Sequence, residues 1–197
     1  MRRNFDADFA KCINPVVYNI DDFDYRDILR FIDLFVAEKC KEQVYQDDGL
    51  ALRKRCFTGF MAERIVEQLL NRKFSVLTVG HSADYDEPDL VRLGLNVGVK
   101  AADDDYPLMA LHQNGNKKEA IRPELICIRR GNLIYVCGLA MPDIITLYSD
   151  MDFVRTREAR GRKFGFYGFE HLIPIHSWED LINALKDTPY ILKGDVI

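Results

Sequence analysis

Hydrophobic positions recur at three- and four-residue spacing in the first third of the chain and predict two helices. The first covers residues 21–46, begins at the possible caps Asp21 and Asp22, and ends at the DDG sequence of residues 47–49. Its apolar face is formed by Ile28, Phe31, Ile32, Phe35 and Val36. The second helix runs to about Asn71 with the same periodicity. We therefore expect a helical N-terminal part over about residues 21–72.

From residue 74 the pattern changes to short apolar runs that are typical of strands. The predicted strands are FSVLTVG at 74–80, two strands within 89–101 that meet around Gly94, ELICIRR at 124–130 and NLIYVCGLA at 132–140. The polar stretches DDD at 103–105 and HQNGNKKEA at 112–120 are predicted to be loops.

Two helices are expected later in the chain, one starting at Pro142 and one after Ser177. Proline is tolerated in a first helical turn, and Ser177 with Asp180 resembles a capping box. Helices first, strands in the middle and a helix at the end predict one domain over residues 1–197 with a mixed central sheet flanked by helices. Both α/β and α+β arrangements fit this order.

Amino-acid composition and charge argue against several classes of protein. The chain has 48% hydrophobic residues and a net charge of −4, which argues against coating nucleic acid through bulk charge. No segment has the apolar run of a signal peptide or a membrane span. Five cysteines without CxxC spacing predict reduced thiols rather than a disulfide framework or a zinc knuckle. We therefore expect a cytoplasmic protein with no membrane partner.

Common hydrolase signatures are missing from the sequence. His81, His112, His171 and His176 form neither HxxxH nor HExxH, so a zinc hydrolase has little support. No GxSxG is present, so a serine hydrolase is equally unsupported.

The segment PDLVRLGLNVGVK at residues 88–100, preceded by Glu63 in a predicted helix, carries the candidate chemistry. Strand alternation places residues 98 and 100 on one face, where both could meet one bound phosphate. Over about residues 57–102 the segment resembles the signature of the PD-(D/E)xK nuclease superfamily. That resemblance implies a restriction-endonuclease-like α/β fold with a nuclease core over about residues 57–175.

The resemblance also implies roles for individual residues. Lys100, Asp89 and Glu63 would be catalytic, and Asp89, Glu63 and the Val99 carbonyl would hold Mg²⁺ or Mn²⁺. Hard oxygen ligands suit such an ion, which polarises a phosphate and lowers the pKa of an attacking water. The implied activity is that of a DNA endonuclease, a hydrolase of phosphodiester bonds that often acts as a homodimer.

Gly98 departs from the family pattern, because the second acidic residue is expected there. Asp84, Asp86, Glu87 and Asn96 are nearby candidates for the missing ligand. Otherwise the site no longer cleaves, and the chain is a pseudo-nuclease that binds nucleic acid or a protein. On this basis we expect weak cleavage or none, with Gly98→Glu improving it.

Each motif residue also has a structural interpretation. Lys100 could form a surface ion pair with the acidic loop at 103–105, and Asp89 could simply open a turn. Glu63 lies at the border of the apolar helix face and could be solvated, whereas Glu67 is placed farther into the polar face.

A basic run offers a route to nucleic acid. It consists of Arg155, Arg157, Arg160, Arg162 and Lys163. Cations of this kind could follow a phosphate backbone. The aromatic residues that follow, Phe164, Phe166 and Tyr167, are instead expected to point into the core. Because of these cations, we expect a variant whose basic run is replaced by acidic residues to bind DNA more weakly.

Overall fold

The fold was obtained as a computed structural model, which describes residues 3–41, 49–77, 87–114, 117–151 and 163–192. Its helices are α1 (Phe5–Phe9), α2 (Arg26–Lys41), α3 (Gly49–Leu70), α4 (Pro142–Leu147) and α5 (Trp178–Leu185). Its strands are β1 (Val16–Asn19), β2 (Gly98–Asp103), β3 (Leu108–Ala110), β4 (His112–Asn114), β5 (Lys117–Glu119), β6 (Glu124–Arg130), β7 (Leu133–Ala140), β8 (Ser149–Asp150) and β9 (Lys163–Phe166).

The main sheet has four strands in the order β1-β7-β6-β2. β2 runs parallel to β6, and the other two pairings are antiparallel. Helix α3 packs against β2, and α2 packs against α3. A smaller sheet has the order β3-β9-β8, while β4 and β5 form a hairpin. The chain is thus a mixed α/β protein with a four-stranded mixed sheet packed against helices, as the sequence predicts at that level.

The central strand β6 is covered on both faces, and its first five residues are buried. Side-chain alternation sends Leu125 and Cys127 into the core beneath the α2 and α3 helices. Ile126 and Ile128 point into a second core on the other face. A strand buried on both faces reads as a continuous apolar run, which explains the ELICI sequence.

The two N-terminal helices are confirmed in the described part of the chain, which leaves out residues 42–48 and with them the predicted DDG end of the first helix. The first begins at Arg26 rather than at Asp21, because Asp21 and Asp22 lie in a 3-10 turn over Ile20–Asp22. Asp24 follows this turn, and its carboxylate accepts from the Arg26 backbone N–H and pairs with the Arg26 guanidinium. The second helix ends at Leu70, close to its predicted end.

The predicted hairpin over residues 88–101 is wrong in its first arm. Val91–Leu93 is a 3-10 helix, closed by Gly94 in the left-handed region with φ 74°. Leu90 and Leu93 are both buried, and a three-residue spacing places them on one side of such a turn. Only the second arm is a strand, β2. The reversal at Gly94 is real, but it joins a helical turn to extended chain.

Two further local predictions are wrong. In the strand predicted at 74–80, residues 74–77 are not extended into a sheet, because the Phe74 and Ser75 N–H groups donate to the Glu67 carboxylate instead of to a neighbouring strand, and residues 78–80 lie outside the described residues. The polar stretch at 112–120 contains the β4–β5 hairpin rather than loop alone.

The C-terminal half agrees more closely with the sequence. β6 and β7 form the predicted pair, with Gly131 at φ 59° in their turn. α4 starts at Pro142, and Ser177 Oγ caps α5 by accepting from the Asp180 N–H. None of the described helices is long and apolar enough to cross a membrane.

Candidate active site

Asp89 lies in the turn before β2 and is tied to the start of that strand. Its Oδ2 accepts a hydrogen bond of 2.6 Å from the Val99 N–H. Burial raises the pKa of Asp89, although this N–H and the nearby Lys100 and Arg122 cations act in the opposite direction. The turn therefore aims the carboxylate at β2, in place of the strand that the sequence predicts.

Lys100 lies on β2 two residues after Gly98, so both face the same side of the sheet. Its ammonium group is close enough to lower the pKa of both Asp89 and Glu124. Asp89 and Lys100 are therefore brought together, although not through a hairpin. The alternative ion partner of Lys100 is engaged elsewhere, since Asp103 pairs with Lys54 at 2.7 Å.

Position 98 holds the central observation of the site. In the parallel pairing of β2 with β6, Gly98 is the register partner of Glu124. A Cβ added to Gly98 would lie 2.0 Å from Glu124 Oε2 and 2.8 Å from its Cδ. The carboxylate of a neighbouring strand thus occupies the space that a side chain at 98 would use. A glutamate at 98 would therefore have to displace the Glu124 carboxylate, a neighbour that the expectation for Gly98→Glu did not include.

The Glu124 carboxylate is buried and incompletely satisfied. Its side chain is 10% exposed, and Oε1 lies 3.3 Å from Arg122 Nε. Its other oxygen, Oε2, is buried and has no hydrogen-bond partner among the described residues. Burial raises the pKa of Glu124; the Lys100 and Arg122 cations lower it, and Asp89 adds to the rise. A buried carboxylate oxygen without a hydrogen-bond partner requires an explanation, and a cation that binds to this oxygen would provide one.

Glu63 contributes a third carboxyl group from α3. Burial raises its pKa to about 8, and the neighbouring Asp89 and Glu67 carboxylates add to that rise. Glu63 is therefore near enough to both Asp89 and Glu67 to be influenced by their charges. The Glu63 side chain is partly buried rather than freely solvated.

Glu67, one turn later, has a structural role, and its predicted place on the polar face is wrong. The residue is 4% exposed, and its Oε1 accepts from the Phe74 N–H, the Ser75 N–H and the Ser75 hydroxyl. Its Oε2 accepts from Lys73 Nζ at 3.0 Å. Burial raises the pKa of Glu67, but these hydrogen bonds outweigh burial and leave it lowered.

Two of the other candidate ligands, Glu87 and Asn96, lie in the described part of the chain. Glu87 is exposed, and the Asn96 N–H donates to the Tyr190 carbonyl. Asp84 and Asp86 lie outside the described residues.

The basic run is described at only one position. Lys163 opens β9 opposite Ala110, and Arg155, Arg157, Arg160 and Arg162 lie outside the described residues. Phe164 and Phe166 are buried, as expected.

The arrangement is not a finished metal centre. Across the described ranges, no group of three or more His, Cys, Asp or Glu side chains is already placed to hold one ion. Asp89 and Glu124 are near enough to influence each other, and Lys100 and Arg122 lie beside both. Four charged groups therefore converge at the start of β2 and β6, with Glu63 next to Asp89.

Sequence reasoning missed Glu124 and Arg122. Both lie in the sequence RPELICIRR, where a charged residue opens an otherwise apolar strand. An acidic residue at the first position of a strand that is buried on both faces is unusual enough to indicate a functional site. What the sequence lacks is the pairing of β6 with β2, which brings Glu124 to Gly98.

Comparison of the chain with protein-family models, with curated proteins and with solved structures finds no match.

Proposed function

We propose that the chain is a divalent-metal-dependent deoxyribonuclease of the restriction-endonuclease-like kind, in which Glu124 supplies the carboxylate that Gly98 lacks. The observation that carries this proposal is the overlap of Glu124 Oε2 with the side-chain space of residue 98. The carboxylate of Glu124 on β6 would then take the place of a carboxylate at residue 98 on the adjacent strand β2.

Carboxylate and carbonyl oxygens are the donor types that a hard cation prefers, and here they would have to close around the ion. Asp89 and Glu124 would hold Mg²⁺ or Mn²⁺, with Glu63 as an outer ligand and the Val99 carbonyl as a backbone ligand. The buried Oε2 of Glu124 without a partner is the atom in the structure that such an ion would satisfy. When bound, the ion supplies charge stabilisation and a water of lowered pKa.

The other residues have separate tasks. Lys100 on β2 orients the attacking water or stabilises the charge that develops on the phosphate. Asp89 is held in one orientation by the Val99 N–H, so it is preorganised. Glu63, with a pKa of about 8, can retain a proton at neutral pH and give it up when positive charge approaches.

DNA is the proposed substrate, and the basic run at 155–163 is the proposed contact with its phosphates. The local positive surface is needed because the chain as a whole carries a net charge of −4. A homodimer would allow both strands of a duplex to be cut. This part of the proposal follows from the nuclease resemblance.

The second candidate function is a non-catalytic module that binds nucleic acid or a protein. Two observations favour it: no metal-binding group is already formed among the described residues, and Asp89 Oδ2 is engaged by a backbone N–H. In that case the buried carboxylates would be a remnant of a site.

Nicking of supercoiled plasmid in Mg²⁺ or Mn²⁺ tests the proposal. We expect nicking by the unaltered chain and a loss of about a hundredfold or more in Glu124→Gln, Asp89→Asn and Lys100→Ala, the scale of removing one electrostatic contributor. Glu119→Gln, an exposed glutamate on β5, is the matched control and should leave nicking unchanged. Absence of nicking by the unaltered chain, or nicking that survives Glu124→Gln, would overturn it.

A further inference from the structure

Two cysteines, Cys12 and Cys137, meet on the face of the main sheet that carries the second core. Cys12 follows α1 and is partly exposed, and its thiol donates to the Cys137 carbonyl oxygen over 3.5 Å. Cys137 lies on β7 and is buried. Both residues are free thiols in this structure. They are 125 positions apart in the chain, so sequence spacing does not indicate the pair.

A β-bulge in β7 explains why Cys137 is presented to Cys12. Its neighbours Val136 and Gly138 pair with consecutive residues of β6, so Cys137 is the extra residue of β7 and has no register partner there. A bulge re-aims the side chain of the extra residue and takes its backbone out of the regular ladder. Glycine at 138, with φ 134°, lets the chain pack against the bulge, since a Cβ would lie 2.5 Å from the Ile173 carbonyl oxygen.

The packing of α1 on β7 brings Cys12 to the bulge. Phe9 in α1 contacts Tyr135 edge-on, with ring centroids 5.4 Å apart. Cys12 lies one turn after Phe9 and donates its N–H to the Phe9 carbonyl, while Cys137 lies two residues after Tyr135 on the same face of β7. A helical turn and a two-residue step along a strand are both roughly 5 to 7 Å long. The contact between the two rings therefore places the two cysteines next to each other.

The two thiols differ in reactivity. A hydrogen bond from the Cys137 thiol lowers the pKa of Cys12, although burial acts in the opposite direction. Burial raises the pKa of Cys137 well above its usual value, and the hydrogen bond and charge of Cys12 add to that rise. The thiolate is the nucleophilic form of cysteine. The partly exposed Cys12 is therefore the thiol that reacts first, while the buried Cys137 keeps its proton.

We propose that Cys12 and Cys137 form a reversible disulfide when the folded chain meets a peroxide. The Cys12 thiolate attacks one peroxide oxygen, the O–O bond breaks, and a sulfenic acid and hydroxide form. The Cys137 thiol then attacks the sulfenic sulfur, the S–S bond forms, and water leaves. The hydroxide takes up the proton that Cys12 released, so two thiols lose two electrons and one hydrogen peroxide becomes two waters.

The disulfide would tie the segment after α1 to the main sheet. A cross-link over 125 positions restricts the unfolded chain far more than the folded chain, in which the two residues are already in contact. We expect the Tm of the oxidised chain to rise by about 5 to 15 °C. Dithiothreitol should return the Tm to that of the reduced chain, because thiol–disulfide exchange opens the bond.

The test oxidises the reduced full chain with hydrogen peroxide, blocks the remaining thiols with N-ethylmaleimide and maps the peptides by mass spectrometry. We expect a peptide pair linked through Cys12 and Cys137, and a raised Tm in the same sample. Cys12→Ser should abolish both the link and the rise in Tm. Cys56→Ser is the matched control, because Cys56 is also a partly exposed free thiol, and this variant should keep both.

Cys137→Ala tests the order of the two steps. Without the second thiol, the sulfenic acid of Cys12 should persist and react with dimedone, whereas the unaltered chain should be labelled only weakly. Dimedone labelling of Cys137 in Cys12→Ser, with none of Cys12 in Cys137→Ala, would overturn the assigned order.

The peptide map of the unaltered chain decides the proposal by itself, even where a variant does not fold. A Cys12 that stays reduced in peroxide, or that joins a different cysteine, overturns it. A link between Cys12 and Cys137 that forms only in urea also overturns it, since that link would arise from the unfolded chain. None of these results bears on the nuclease proposal, because neither cysteine belongs to its site.

Discussion

Glu124 occupies the position that the side chain of residue 98 would take on the adjacent parallel strand. The overlap is with the end of the glutamate, whose Oε2 would lie 2.0 Å from a Cβ at Gly98. Gly98 pairs regularly with Glu124 within the strand ladder and is not among the described glycines with positive φ. A side chain at 98 would therefore have to displace the end of the Glu124 side chain, whereas the backbone conformation of residue 98 does not itself demand glycine.

The first prediction is that moving the carboxylate from β6 to β2 preserves function. Gly98→Glu alone places two carboxyl groups in one space, so nicking should fall about tenfold or more. Glu124→Gly alone removes the acid and should abolish nicking. In the double variant the two changes relieve each other, because the space is again occupied once, and nicking should recover to within about tenfold of the unaltered chain.

Plasmid nicking by the four proteins of this cycle measures the coupling between the two positions. The double variant carries a glycine at the first residue of β6, which should lower its free energy of unfolding by about 1 kcal/mol or less. Thermal melting of each variant controls for this. Gly98→Glu more active than the unaltered chain would contradict the prediction and support a site that simply lacks one acid.

Local structure was predictable from the sequence wherever a single segment determines it. The apolar spacing of α3 and the continuous apolar run of β6 identify these elements without further information. Of the predicted site residues, Asp89 is near enough to Lys100 and to Glu63 for electrostatic influence, and their shared role stays a prediction. Glu124 was not predictable, because its role depends on which strand pairs with β2, and that pairing is set by packing between segments far apart in the chain.

The strand predicted around residue 90, the first arm of the hairpin, is wrong for a related reason. Leu90, Leu93, Leu95 and Val97 are all buried, and the spacing of two residues between the last three fits a strand as well as an irregular turn. The 3-10 helix satisfies the same burial while bringing Asp89 to the Val99 N–H. Alternation alone does not distinguish these solutions.

The second prediction concerns Glu63 and pH. The usual pKa of a glutamate is 4.5, and that of Glu63 is raised to about 8 in the fold. Between these values the folded chain keeps a proton that the unfolded chain releases, so this group makes the free energy of unfolding fall as pH rises from about 4.5 through 8. Glu63→Gln cannot ionise, so the variant should be more stable than the unaltered chain above pH 8, and the difference should shrink toward pH 5.

Urea unfolding of both proteins from pH 5 to pH 9, without divalent metal, measures this difference. Asp89 and Glu124, whose pKa values are also raised, keep some of the slope in the variant. Identical pH profiles of the two proteins would mean that Glu63 is solvated and is not part of the cluster.

The third prediction is that the ionised carboxylate of Glu67 stabilises the fold, in contrast to that of Glu63. Its carboxylate fixes the segment after α3 through hydrogen bonds from Phe74, Ser75 and Lys73. Glu67→Gln replaces one accepting oxygen with a donor in a buried position, so the free energy of unfolding should fall by about 2 to 4 kcal/mol.

The pH dependence of Glu67 also has the reverse sign. Its pKa is lowered, so its contribution to stability is present above the pKa of an unfolded glutamate and is lost as pH falls through the lower folded value. Urea unfolding should therefore show the penalty of Glu67→Gln at pH 7 and a smaller one in strong acid. A penalty that does not change between these conditions would contradict the assigned hydrogen bonds of the ionised carboxylate.

The last prediction is that a divalent ion stabilises the unaltered chain and fails to stabilise Glu124→Gln. A ligand that binds only the folded state raises its free energy of unfolding by about 2.7 kcal/mol at a hundred times its Kd, so Mn²⁺ should raise the Tm by several degrees. The reason lies in Glu124 Oε2, a buried acceptor without a hydrogen-bond partner in the described chain, which gains a cation only when the carboxylate is present. Glutamine keeps the shape and presents an amide instead; because it also replaces a carboxylate that pairs with Arg122, the effect of the ion is measured as the shift from each variant's own metal-free Tm. Differential scanning fluorimetry with Mn²⁺, Ca²⁺ and, as an ionic control, extra NaCl distinguishes binding from screening. Glu119→Gln should respond to Mn²⁺ as the unaltered chain does. If Mn²⁺ shifts the Tm of Glu124→Gln by the same amount as that of the unaltered chain, the ion binds elsewhere, and Glu124 is not the replacement for the acid missing at residue 98.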